Sequence, residues 1–179
     1  MSRVLLVFLL ALLPACAQEY WNRLTGTFGA LNPAGGYQTN DFGSSPMLSF
    51  DYGYRFHRYA QADVGVDIAF ATETLSQPTV TSTRRNIYIP RFGYRAVIPL
   101  RQDRIEASIG AGGAYTFYKP TIVGREMWMV YGQIGANYAL DIEKRYRAGL
   151  MVRWYRDPIG SPVQQWVSVG AEFTFSAGR

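Results

Sequence analysis

The sequence predicts an all-β protein: an eight-stranded antiparallel up-and-down transmembrane β-barrel. Three observations lead there. Eight runs of about 10–13 residues alternate apolar and polar side chains, the period-two signature of a strand with two unlike faces. The connections between these runs alternate long and short. The apolar face of every run is free of charge, whereas the polar face is rich in Gly and Arg.

Composition narrows the options further. A chain of 179 residues suits one domain. Hydrophobic residues make up 48%, which argues against disorder, and 15% aromatics with 18 Gly favour strands and turns over helices. A single Cys excludes an intrachain disulfide or a Cys-rich zinc site, and a single His excludes a multi-His metal site. No metal or cofactor is expected. The net charge of +5 is diffuse, so no nucleic-acid partner is expected either.

The first strand is predicted at about Trp21–Leu31, with Leu24, Phe28 and Ala30 on one face and Arg23, Thr25 and Thr27 on the other. The second, about Met47–Phe56, sets Leu48, Phe50, Tyr52, Tyr54 and Phe56 against Ser49, Asp51, Gly53 and Arg55. The third, about Tyr59–Phe70, sets Val64, Val66, Ile68 and Phe70 against Gln61, Asp63, Gly65 and Asp67. The fourth, about Asn86–Ile98, sets Tyr88, Phe92, Tyr94 and Ile98 against Arg91, Gly93 and Arg95. Pro90 within it predicts an edge or a bulge, because proline cannot donate to the ladder.

The fifth strand, about Arg104–Phe117, opposes Ile105, Ile109, Tyr115 and Phe117 to Glu106, Ser108, Gly110 and Gly112. The sixth, about Trp128–Leu140, opposes Trp128, Val130, Ile134 and Tyr138 to Tyr131, Gln133, Gly135 and Asn137. The seventh, about Arg145–Arg156, opposes Tyr146, Leu150, Val152 and Trp154 to Arg147, Gly149, Met151 and Arg153. The eighth, about Gln165–Phe175, opposes Val167, Val169, Phe173 and Phe175 to Ser168, Gly170, Glu172 and Thr174. Long connections are predicted at Asn32–Pro46 and Ala71–Arg85 and medium ones at Tyr118–Met127 and Asp157–Gln164, all at one pole. Short turns at His57-Arg58, Pro99–Asp103 and Asp141–Lys144 fall at the other.

Alternation alone does not say which face is inside. A soluble barrel of the lipocalin type would turn its apolar face inward. Four features favour the reverse. The apolar face carries no charge, as a lipid-facing band requires. Its aromatics collect near strand ends, as in the two interfacial girdles of a membrane barrel. Gly on the other face makes room for long side chains in a narrow lumen. Lys119 and Lys144 are the only lysines and all other basic residues are Arg, the residue suited to packed ion pairs.

Met1 to Ala17 reads as a cleaved signal peptide, leaving 18–179 as a single barrel domain. Arg3 supplies the positive start, Val4 to Leu13 the apolar run, and Ala15-Cys16-Ala17 the small-x-small cleavage site. Leu13-Pro14-Ala15-Cys16 also has the form of a lipobox, so lipidation at Cys16 is a second reading. No later run is long and apolar enough for a transmembrane helix.

On these features the chain, from about Tyr20 to Phe175, resembles the small eight-stranded outer-membrane barrels, the OmpA-type transmembrane domain and the OmpX-like proteins. The resemblance implies location in the bacterial outer membrane, a monomeric barrel, outer-membrane lipid and lipopolysaccharide as surroundings, and delivery by the barrel-assembly machinery. That machinery reads a terminal aromatic in such barrels. Here Phe173 and Phe175 alternate suitably, and Ser176-Ala177-Gly178-Arg179 follows them.

The predicted interior holds Asp51, Asp63, Asp67, Glu106 and Glu172 against Arg91, Arg95, Arg147 and Arg153. Buried charges must be paired, so these are expected to form an ion-pair network that fills the lumen. A narrow channel or carrier for ions or small apolar compounds is the alternative. At the rim, Arg84, Arg85, Lys119, Arg125 and Arg156 are placed to contact lipid phosphates. Enzymes of this architecture, the lipid A deacylases and palmitoyl transferases, rely on a His beside a Ser and an acid. His57 is flanked by Phe56, Arg58 and Tyr59 without a His-x-Ser pattern, and no Ser has a base to activate it. The expected role is therefore non-enzymatic, structural or surface-interactive.

Overall fold

The computed structural model describes residues 21–36, 41–75, 81–121, 125–160 and 163–177. The predicted signal peptide Met1–Ala17, with Cys16, lies outside the described residues.

Eight strands follow one another: β1 (Trp21–Gly35), β2 (Ser45–His57), β3 (Ala60–Leu75), β4 (Thr81–Leu100), β5 (Ile105–Lys119), β6 (Met127–Ala139), β7 (Tyr146–Arg156) and β8 (Gln165–Ala177). Each pairs antiparallel with the next, and β1 pairs with β8, closing the barrel. Closure leaves no sheet edge. No helix among the described residues is long and apolar enough to cross a membrane, which says nothing of strands.

The two faces separate as the period of two demands. Along β2, inward and outward residues alternate from Ser45 to Arg55. Large apolar side chains point outward all round: Leu24, Phe28, Phe50, Val64, Phe92, Ile109, Ile134 and Leu150 are 55–68% exposed. Charged side chains point inward, with Asp67 and Arg153 fully buried. The lipocalin-type alternative, with its apolar face inside, is thereby overturned.

Three features differ from the sequence-based expectation. The strands run further into the long connections than predicted. The span 71–85 is largely a hairpin, with Ala71 through Leu75 paired to Arg85 through Thr81. β1 likewise continues to Gly35, with a register shift between Pro33 and Gly35. Polar residues such as Thr72, Thr74, Ser82 and Thr83 hid this extension, since no buried apolar face marks it.

Pro90 lies in neither an edge nor a bulge. It keeps its place opposite Val66 of β3, and the register with β5 is unshifted. The β4–β5 ladder simply omits Ile89 and Pro90, the side on which the ring removes a donor.

The interior is also not polar throughout. Towards the long-loop pole it becomes a hydrophobic cluster that includes Leu31, Met47, Ile87, Ile89, Met129, Tyr131, Tyr155 and Trp166. At that height apolar residues occupy both faces, as in Ile87-Tyr88-Ile89, so alternation in polarity gives no signal.

Short turns close the other pole. Asp141 accepts hydrogen bonds from the backbone N–H of Tyr146 (2.9 Å) and Arg145 (3.1 Å). Desolvation raises its carboxyl, but the backbone N–H groups, with the nearby Arg145 charge, together outweigh it and hold the group below the usual carboxylate range. The turn is therefore stabilised at neutral pH, and that contribution is lost only as pH falls through the depressed value.

Candidate functional site

The lumen is the place where the fold gathers its charged groups. At mid-height Asp51 of β2, Asp67 of β3, Arg91 of β4 and Arg153 of β7 form a closed quartet. Arg91 Nη2 lies 2.8 Å from Asp51 Oδ2 and 3.0 Å from Asp67 Oδ1. Arg153 Nη2 lies 2.8 Å from Asp51 Oδ2, and its Nη1 3.0 Å from Asp67 Oδ1. Arg91 Nη1 also pairs with Asp51 Oδ1. Ser49 Oγ accepts from Arg91 (2.8 Å) and Arg153 (3.1 Å), Gln133 Oε1 accepts from Arg153 Nε (2.9 Å), and the Tyr155 hydroxyl donates to Asp67. Arg153 thus ties β7 to β2 and β3 across the lumen.

A second unit pairs Arg95 Nε with Asp63 Oδ2 at 2.9 Å, and Gln61 donates to the other oxygen. A third lies near the short-turn pole, where Glu106 accepts from Arg23 (2.8 and 3.0 Å) and Arg55 (2.8 Å), with Arg147 at 3.6 Å. The expected balance of five acids and four bases therefore needs correction. Arg23 and Arg55 also face inward and are buried. Their positions two residues from Thr25 and Gly53, on the same polar face of β1 and β2, marked them in the sequence.

Glu172 departs from the expected network. No cationic side chain among the described residues lies within ion-pair distance of it, and it accepts instead from the Asn137 amide. Its cross-strand neighbours, Thr27 and Gly149, bring no cation to it.

The glycines of the inner face give these groups their space. A Cβ on Gly65 would overlap Asp51 Oδ1, Arg91 Nη1 and the Phe50 carbonyl oxygen. Gly65→Ala is accordingly expected to lower unfolding free energy by about 1–3 kcal/mol, read from urea unfolding of the folded barrel. An unchanged midpoint would mean that the quartet shifts without cost.

Above the quartet lies the apolar cluster, and Phe42, shortly before β2, packs into it. Phe42 stacks on Tyr118 (ring centroids 5.9 Å apart) and lies 5.8 Å from Trp166. An isolated bridge joins Phe42 to Glu73. Glu73 pairs with Arg85 and, at 3.2 Å, with Arg125, which also holds Asp41 at 2.7 Å. Of the predicted rim cations, Arg85 and Arg125 are thus committed to this latch. Arg84, Lys119 and Arg156 are exposed, Arg156 over the Trp154 ring. His57 is half-buried, and its Nδ1 accepts from the Tyr59 backbone N–H at 3.2 Å. Among the described residues no group of three or more His, Cys, Asp or Glu is placed to hold a metal ion.

The closed eight-stranded barrel has counterparts among solved structures. OprG from Pseudomonas aeruginosa aligns with a TM-score of 0.68 at 12% identity, over 89% of this chain and 98% of that one. The fold is that of the small outer-membrane barrels. Neisserial surface protein A aligns at 0.59 and 11% identity, covering 87% and 96% of the two chains. The N-terminal barrel domain of OprF from Pseudomonas aeruginosa aligns at 0.52 and 10% identity, covering 88% and 100%. No family model matches the chain, and no curated protein matches it. At such identities the shared feature of this outer-membrane barrel fold is architecture, and its lumen chemistry has to be read from its own residues.

Proposed function

We propose that the chain is a non-enzymatic, monomeric barrel of the bacterial outer membrane with a structural or surface-contact role. The observation that supports this reading most directly is the filled lumen. Ion-paired groups occupy it from the short-turn pole to mid-height, and the apolar cluster under Phe42 occupies the rest. Eight strands leave room for little beyond side chains. The outward belt meets the demands of hydrocarbon, and Phe173 and Phe175 on β8 are the aromatics that the barrel-assembly machinery would read. Export by the Met1–Ala17 signal belongs to the same reading, with lipidation at Cys16 the lesser course.

Two measurements test it together. The protein from an outer-membrane fraction is expected to run as a compact band on a detergent gel until boiled. Reconstituted in a planar bilayer, it is expected to give no steady single-channel steps. Recovery as a soluble protein without a heat shift would overturn the location, and a stable pore current would overturn the closed lumen.

In this reading the exposed Arg84, Lys119 and Arg156 contact lipopolysaccharide phosphates. A triple substitution to Gln is expected to reduce co-purifying lipopolysaccharide severalfold while leaving the heat shift intact. Equal retention would remove these residues from the role.

One observation favours a carrier for small apolar compounds as the second reading: the outer half of the lumen is apolar and its cover, Phe42, comes from a connection rather than a strand. Saturable uptake of an apolar fluorescent probe, enhanced by Phe42→Ala, would support it.

A further inference from the structure

The short-turn pole of the lumen carries positive charge that its own acid does not neutralise. Arg23, Arg55 and Arg147 converge on Glu106, and all four side chains are at least nine-tenths buried. Three guanidinium groups against one carboxylate leave an excess of two positive charges. Asp103, in the neighbouring turn, offsets it only in part: its half-exposed carboxylate also faces Arg58 and Lys144, each at 3.7 Å.

The sharing of Glu106 is uneven. Arg23 grips both carboxylate oxygens and Arg55 adds a third contact, its remaining nitrogens donating to the Arg58 carbonyl. Arg147 stands back at 3.6 Å and donates Nη2 to the Asp103 carbonyl at 2.9 Å. Its Nε and Nη1 are buried with no partner among the described residues, and the same holds for Arg23 Nε and Ser176 Oγ. The register brings their owners together. Ser176 lies opposite Arg23 on β1, and Thr174, two residues back on the same face of β8, lies opposite Arg147 on β7.

Three N–H donors and a hydroxyl on three adjacent strands are thus unsatisfied at one height, where the net charge is positive. Buried donors on charged groups are seldom left without an acceptor. A water molecule would satisfy the donors and leave the charge. An oxyanion satisfies both, and guanidinium groups are the side chains best matched to one. We propose that this pole is a binding site for a phosphate-type oxyanion, with Arg147 its principal ligand and Arg23 and Ser176 beside it. The source of the oxyanion is either free phosphate or the phosphate of an anionic lipid headgroup.

The test uses the full chain folded in dodecyl maltoside, which carries no phosphate. Calorimetric titration with sodium phosphate, at ionic strength held constant with sodium chloride, is expected to show one saturable site. Arg147→Gln should weaken it at least tenfold, whereas Arg145→Gln, at the exposed pair with Glu143 near the same pole, should leave it unchanged. The 15N resonance of Arg147 Nε should shift with the same saturation, which keeps the test open if Arg147→Gln fails to fold. A soluble short-chain phosphatidylglycerol, titrated in parallel, separates the two sources. Binding of the lipid but not of inorganic phosphate, lost in Arg147→Gln, assigns the site to headgroups. Binding of neither, or binding that survives Arg147→Gln, overturns the proposal. The titration reads the folded barrel in detergent, so its outcome is separate from that of the proposed location and closed lumen.

Discussion

Truncating Arg153 to Met should lower unfolding free energy by about 3–5 kcal/mol, the cost of removing one partner from a buried ion pair. Arg153 is fully buried and holds Asp51, Asp67, Ser49 and Gln133 at once. Without it, two carboxylates share Arg91 alone in a region closed to water. Tryptophan fluorescence during urea unfolding of the reconstituted barrel reads the loss. The exposed pair of Arg145 with Glu143, 2.7 Å apart, supplies the control, where Arg145→Gln should change stability by no more than about 1 kcal/mol. Replacing Asp51, Asp67, Arg91 and Arg153 together by apolar residues of similar volume should recover much of the loss, because a complete buried set is not itself strongly stabilising. A loss at Arg153→Met no larger than at the control would mean that water reaches the quartet, and the closed lumen would have to be abandoned.

The second large effect lies on the opposite side of the same wall. Ile134, midway along β6 between Trp128 and Tyr138, faces outward and is 57% exposed. In a water-soluble barrel, Ile134→Arg would be harmless or stabilising. In a bilayer it should cost about 2–4 kcal/mol, while Tyr138→Arg near the strand end should cost only about 0–1 kcal/mol. The depth dependence is the informative quantity, because no property of the isolated barrel produces it. Equal stabilities for the two variants in phospholipid vesicles would contradict a membrane-spanning belt.

The sequence made the barrel legible because its information is periodic. Phe50 beside Asp51, or Leu150 beside Met151 and Gly149, states which way each side chain points once a strand is assumed. It lost resolution where periodicity stops carrying contrast. Ile87 and Ile89 are inside and Tyr88 outside, but all three are apolar, so the hydrophobic upper lumen left no mark. Phe42 lies in a Gly- and Asn-rich connection, and nothing local predicts that it returns to stack on Tyr118, 76 positions later in the chain. Arg23 and Arg55 could be assigned to the inner face, but their meeting at Glu106 depends on barrel shear, which pairs strands far apart in sequence. Glu172 is buried on the inner face as its position predicts, but its acceptance from Asn137 rather than from an Arg is known only from the three-dimensional arrangement.

The closing seam between β1 and β8 has a consequence for how the molecule comes to exist. Asn22 meets Ala177 and Leu31 meets Ser168, so the last stave to be synthesised is the one that completes the first. Until β8 arrives, every shorter version of the chain presents two rows of bare amides and carbonyls, which hydrocarbon does not tolerate. Arg23 would also wait inside an unfinished wall, its partner Glu106 on β5 and its register neighbour Ser176 on β8 not yet enclosing it. Such a chain has no stable halfway house in a bilayer: it is kept apart from lipid until all eight staves are present, or it is inserted on a surface that lends its first strand a temporary neighbour.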